Sequence, residues 1–127
     1  MIEENVLTNK CIAFAVRIVN CFKYLQEDKK EFLMSKQILR SGTSIGANAH
    51  EAIFAQSKAD FISKLNISLK EASETSYWLT ILHQTNYLDK NVYTSLKSDV
   101  DELIRILIAS IKTTRKNEKY TGEIKSE

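Results

Sequence analysis

Three groups of residues in this 127-residue chain have the types and spacing to do chemistry. Gly42-Thr43-Ser44-Ile45-Gly46 spells the letters of a nucleophile elbow, with Ser44 as the candidate nucleophile. An elbow needs a strand before it and an Asp and a His later in an α/β chain. The second group is Glu71, Glu74, His50 and His83. A di-iron centre in a helical bundle needs Glu-x-x-His on two helices and a Glu from each of the others. Ala47 stands three residues before His50 and Thr80 three before His83, so neither histidine fits. His50-Glu51 is no H-E-x-x-H, because position 54 is Phe, and GTSIGANA lacks the Gly-Lys-Ser/Thr ending of a phosphate loop. The third group is cationic: Lys29, Lys30, Lys36 and Arg40, then Arg105, Lys112, Arg115 and Lys116. Phosphate contacts ask only for positive side chains clustered in space. The chemistry expected is therefore binding. No catalytic residue, metal ligand or cofactor is expected, and the chain reads as a non-enzyme.

The elements that position these residues follow from periodicity. Met34, Ile38, Ser41, Ile45, Asn48 and Ala52 step by 4, 3, 4, 3, 4, a seam along one side of a helix. This places Ser44 inside a helix, which the elbow forbids. The small residues Ser41, Gly42, Gly46 and Ala47 then mark a helix approached closely by a neighbour, at about 1 kcal/mol of helix propensity per glycine. Helix 1 is predicted from about Asn5 to Gln26 on the seam Cys11, Ala15, Ile18, Phe22, Leu25, widened by Ile12, Val16 and Val19. Such breadth suits a second neighbouring helix or another subunit. Asp28 and Glu31 read as a capping box opening helix 2, which runs to about Ala55. Ser57 with Asp60 caps helix 3, which carries Ile62, Leu65, Leu69, Ala72, Ser76, Leu79 and His83 inward. Asp89 caps helix 4, predicted from Lys90 to about Lys116 with Val92, Leu96, Val100, Leu103, Leu107 and Ile111 inward.

Four long helices with short links make antiparallel neighbours, so the fold expected is all-α, an antiparallel up-down-up-down four-helix bundle over residues 1–116. Residues 117–127 read as a polar, flexible C-terminal tail. Ser44, Asn48 and Glu51 form one polar line on helix 2, and Ser68, Glu71, Thr75 and Trp78 form another on helix 3. Between antiparallel helices such lines can meet, giving either a satisfied structural polar network of Ser44, Asn48, Glu51, Glu71 and Thr75 or simply a solvated face.

Composition narrows the class. The chain is 43% hydrophobic and 27% charged, ordinary for one globular domain. It offers no run of 18 apolar residues for a membrane span, and MIEENVLTNK lacks the apolar centre of a signal peptide. A cytoplasmic location is the expectation. Cys11 and Cys21 are ten residues apart on one helix, about 15 Å, too far for a disulfide, and read as reduced thiols. The formal charge is +2 and unevenly placed: residues 1–104 carry a net −1 and residues 105–127 a net +3.

The pattern SxGxNxxEA from Ser44 to Ala52, followed by KADFISKLNISLKEASETSYWL from Lys58 to Leu79, resembles a bacterial four-helix bundle family. That family includes proteins encoded by intervening sequences within large-subunit ribosomal RNA genes. It is similar to the accessory proteins of diversity-generating retroelements. The resemblance spans roughly Lys10 to Ile111. It implies the same bundle fold and assembly as a homo-oligomer, a ring of five. It also implies a positively charged surface that binds nucleic acid, because the accessory proteins bind nucleic acid and a reverse transcriptase. Two functions follow as expectations: a non-enzymatic binder of structured RNA or DNA phosphates, or a protein-protein interaction scaffold.

Overall fold

A computed structural model describes the backbone of residues 2–126 and the side chains of residues 6–117. It contains α1 (Ile2–Glu27), α2 (Met34–Ile53), α3 (Lys58–Gln84) and α4 (Lys90–Ser126). Each helix packs on its neighbours in chain order and α1 closes the bundle against α4; among the described residues the diagonal pairs do not meet. This is the up-down-up-down bundle, and among the described residues helices are the only regular elements. The helix of α4 continues past Lys116, where periodicity alone would end it. No proline interrupts it, and a lone Gly122 costs only about 1 kcal/mol of helix propensity.

The core is a seam from each helix. α4 contributes Leu96, Val100, Leu103, Leu107 and Ile111, all buried as their spacing predicts, whereas Val92 stays 41% exposed. α1 contributes Leu7, Cys11, Phe14, Ile18, Cys21 and Leu25. Ile12 and Val16, expected to widen that face, are 58% and 55% exposed. The inner side of α3 is turned from the expected seam. Ser68 and Thr75 are buried, while Ile62 and Leu69 are only partly so. The reason is a close α2–α3 contact that small polar side chains permit. Ser68 Oγ donates to the Ile45 carbonyl at 2.7 Å, and Thr75 Oγ1 and Ser41 Oγ are 2.9 Å apart.

On the other side of α2, Gly42 and Gly46 admit α1. A Cβ on Gly42 would lie 2.8 Å from Ile18 Cγ2, and one on Gly46 would lie 3.0 Å from Cys11 Cβ. The glycines are therefore packing residues inside a helix, as their place in the α2 seam suggests.

The first link is not the capping box expected from Asp28 and Glu31. Lys30 takes a left-handed conformation (φ 55°), and the Glu31 N–H turns back to the Leu25 carbonyl at 2.9 Å. Glu31 then caps α2 by itself. Its buried carboxylate accepts from the Ser35 N–H at 2.7 Å and the Leu33 N–H at 3.2 Å, and Ser35 Oγ donates to the Glu31 carbonyl at 2.8 Å. The helix starts five residues later than a box built on Asp28 would start it, because the left-handed turn uses those residues. Glu31→Ala leaves these amides unpaired and is expected to cost about 1–3 kcal/mol in urea unfolding, with Glu31→Gln losing less. The other two caps form as read. Ser57 Oγ accepts from the Asp60 N–H at 3.0 Å, and Asp89 Oδ1 accepts from the Val92 N–H at 2.8 Å.

Candidate nucleic-acid interface

The burial of Val100, Leu103, Leu107 and Ile111 fixes which side of α4 faces water. Arg105, Lys112 and Lys116 follow at steps of 7 and 4, which sets them in one line on the opposite side. All three are exposed, as is Arg115 beside them. None of the four joins the ion pairs formed among the described residues. They form a strip about two turns long between Arg105 and Lys112, then a tight group one turn further on. Asp101, one turn before Arg105 in the same cleft, is paired with Lys97, and among the described residues none of the four cations is itself bound by a carboxylate, which leaves them open to a phosphate backbone.

The four cations of the other group separate. Lys29 and Lys30 lie in the link before α2, and Lys36 lies in its first turn; all three are exposed. The Lys29 ammonium sits 5.9 Å over the Tyr24 ring. Arg40 is committed elsewhere. Its guanidinium bonds Glu71 Oε2 at 3.1 Å and also pairs with Glu74. Glu74 in turn accepts from the Trp78 indole N–H at 3.1 Å. That hydrogen bond, and then Arg40, hold the Glu74 carboxyl below its usual range, while Glu74 pushes the Arg40 guanidinium up. Two carboxylates around one arginine repel a phosphate, so Arg40 is a bridge between α2 and α3, not a phosphate contact. The α1–α2 link and the end of α4 stand at opposite ends of the bundle, so the two cationic groups do not merge within one chain.

The polar network exists, with different partners from those expected. Thr75 meets α2 through Ser41, and Glu71 meets it through Arg40. Asn48 Nδ2 donates within its own helix to the Ser44 carbonyl at 2.9 Å, and Glu51 pairs with Lys64 at 3.1 Å. The inner residues Ser41 and Ser68 carry the α2–α3 bonds. Ser41 lay in the α2 seam and Ser68 in the α3 polar line, so the signal was a seam interrupted by small hydroxyl residues.

The other chemistry-bearing residues have local roles. Ser44 sits within α2, with no strand before it. His50 packs edge-on against Phe54, with ring centroids 5.4 Å apart. His83 stacks on Tyr93 at 4.4 Å, with Nδ1 3.1 Å from the Leu88 carbonyl. Among the described residues no three of His, Cys, Asp and Glu are grouped to hold a metal ion, and no helix is long and apolar enough to cross a membrane.

Cys11 and Cys21 are free and buried, and burial pushes both thiols up to about 11 from an ordinary 9.0; Arg17 partly offsets this at Cys21. The folded chain thus keeps protons that the unfolded chain releases. The stability this contributes is full below pH 9 and is lost as pH rises towards 11. The expected loss is on the order of 2 kcal/mol per thiol, and a Cys11→Ala, Cys21→Ala double variant should fall less steeply over that window in urea titrations.

Comparison with known proteins agrees with this architecture. The family described as 23S rRNA-intervening sequence protein matches residues 3–109. A crystal structure from Bacteroides thetaiotaomicron, of a protein with unknown function from the S23 ribosomal protein family, is 57% identical. The alignment covers 87% of this chain and 98% of that one, with a TM-score of 0.86. No curated protein sequence matches the chain.

Proposed function

Because the chain belongs to the 23S rRNA-intervening sequence protein family, we propose that it is a non-enzymatic, homo-oligomeric protein that binds structured RNA or DNA by its phosphates. The observation that carries this reading is the α4 strip of Arg105, Lys112, Arg115 and Lys116, exposed and free of carboxylate partners among the described residues. The near-neutral remainder of the bundle does not oppose it. Phosphate binding depends on local clustering rather than net charge.

Self-association is supported by apolar surface that the single chain leaves open. Ile12 and Val16 of α1 are more than half exposed, as are Leu33 and Phe54 at the helix ends. A ring of five, the assembly implied by the resemblance to retroelement accessory proteins, would repeat the α4 strip five times and multiply a modest affinity by avidity. The cytoplasm is the compartment that fits reduced cysteines and a nucleic-acid ligand.

The second reading, a protein-protein scaffold, is favoured by one observation: Leu33 and Phe54 are 80% and 72% exposed, large apolar tips of the kind that seat in a partner. A gel mobility shift with a structured RNA hairpin and with duplex DNA decides between the two. Retardation of either supports the binder. Retardation of neither, by protein that light scattering shows to be assembled, moves the function to the scaffold.

A further inference from the structure

The α4 strip has a continuation that the reading above leaves unused. Thr94, Ser98, Asp101 and Arg105 step by 4, 3 and 4, so they share the outward line that Lys112 and Lys116 extend. An open cleft of about 320 Å³ runs along them, with Tyr93 and Lys97 completing its walls. Arg105 is exposed and joins none of the ion pairs formed among the described residues. The Thr94 and Ser98 side chains are exposed, and their hydroxyls bond no group among the described residues. Thr43, Thr80 and Thr114, by contrast, spend theirs on the carbonyl four residues back. Asp101 is the one carboxylate in this line, and Lys97 Nζ donates to both of its oxygens, at 2.8 and 3.0 Å.

We infer that this cleft takes a ribose: Asp101 accepts from the 2′-hydroxyl while Arg105 holds the adjoining phosphate, so the ligand of the α4 strip is RNA. This rests on the phosphate binding proposed above and names its substrate class. An ionised carboxylate only accepts hydrogen bonds, and so does a backbone phosphate, so Asp101 has no bond to make with a phosphate. Each carboxylate oxygen has two lone-pair sites, and Lys97 takes one on each, which leaves one open on each. Whatever fills the open sites must donate.

Spacing and charge point to the same donor. Asp101 and Arg105 stand one helical turn apart, about 5–6 Å between their Cβ atoms, so donor and phosphate must be neighbours in the ligand. In RNA the 2′-hydroxyl stands beside the phosphate of its own nucleotide and recurs at every step whatever the sequence; DNA has no donor there. A carboxylate on a ribose hydroxyl is also how dinucleotide-binding folds hold their sugar. Lys97 cancels the charge with which Asp101 would otherwise repel the phosphate at Arg105. The Thr94 and Ser98 hydroxyls, which donate or accept as needed, carry the same line to the next sugar or phosphate.

The test uses the full chain and two labelled RNA hairpins of one sequence, the second carrying 2′-O-methyl groups. Methylation keeps the A-form helix and removes the hydroxyl donor. Anisotropy at one fixed salt concentration is expected to show about tenfold tighter binding of the unmodified hairpin, the effect of one hydrogen bond to a charged group. Asp101→Ala, with unchanged helicity by circular dichroism, is expected to bring this ratio close to one, chiefly by binding the methylated hairpin better. Asp101→Asn, which keeps one acceptor oxygen, is expected to retain part of the ratio. Equal binding of both hairpins by the parent chain, or a ratio that Asp101→Ala leaves unchanged, overturns the ribose assignment, while a persisting salt slope keeps the phosphate reading. Absence of binding to either hairpin at low salt overturns both.

Discussion

Replacing Lys112, Arg115 and Lys116 together by glutamate is expected to abolish binding of structured RNA at near-physiological salt, with helicity and assembly unchanged. The three side chains are exposed, lie beyond the last buried residue of the described core, Ile111, and bond no carboxylate in that region. Removing them therefore costs the fold little. Each cation that neutralises a phosphate releases about one counterion, so losing three contacts should lower the slope of log K against log salt by about 2–3 per strip. Added negative charge then makes the strip repulsive. Arg40→Ala provides the contrast. Its guanidinium is shared between Glu71 and Glu74 and is half exposed, so its loss is expected to cost no more than about 1 kcal/mol of stability and to leave the salt slope unchanged. An Arg40→Ala variant that loses slope, beside a triple variant that does not, would move the binding surface to the α2–α3 face.

Gly42→Val is expected to destabilise the bundle by about 3 kcal/mol or more, the largest single-residue effect argued here. The first added carbon would meet Ile18 at 2.8 Å, and Ile18 is fully buried and β-branched, so it has no room to turn away. α1 would have to lift from α2 or change register. With an m-value of about 1–3 kcal/mol/M, the urea midpoint should fall by about 1 M or more with little change in slope. Gly46→Ala is milder. Its added carbon meets Cys11 Cβ at 3.0 Å, and the helix propensity gained, about 1 kcal/mol, offsets part of the crowding. A Gly42→Val chain as stable as the parent would mean that α1 is not held on α2 at this point.

Much of the fold was legible because helix periodicity is a local property. The α2 seam of Ile38, Ser41, Ile45 and Ala52 is buried as spaced, as is α4 from Leu96 to Ile111. The caps at Ser57 and Asp89 are equally local and formed as read. Legibility ended where a residue's role depends on a distant partner. The turn of α3 that buries Ser68 and Thr75 instead of Ile62 and Leu69 is fixed by the Ile45 carbonyl and Ser41 across the helix pair, which periodicity cannot see. Arg40 illustrates the same limit at the candidate site. Its position beside Lys36 in sequence suggested a cationic patch, yet Glu71 and Glu74, more than thirty residues away, claim it. The α4 strip was legible because a polar line opposite a strong apolar seam can only face out. The capping role of Glu31 was half legible: the acidic pair was visible, but the left-handed turn at Lys30 that shifts it was not.

The central claim is that the exposed α4 cations bind phosphate. Its most direct measurement is fluorescence anisotropy of the intact protein against a labelled structured RNA and a labelled duplex DNA, titrated from low to near-physiological salt. The account predicts saturable binding whose logarithm falls linearly with log salt, with a slope of at least about 3 from the strip, and that survives at the higher salt through assembly. Absence of binding to both ligands at low salt, or binding whose affinity does not change with salt, would contradict it.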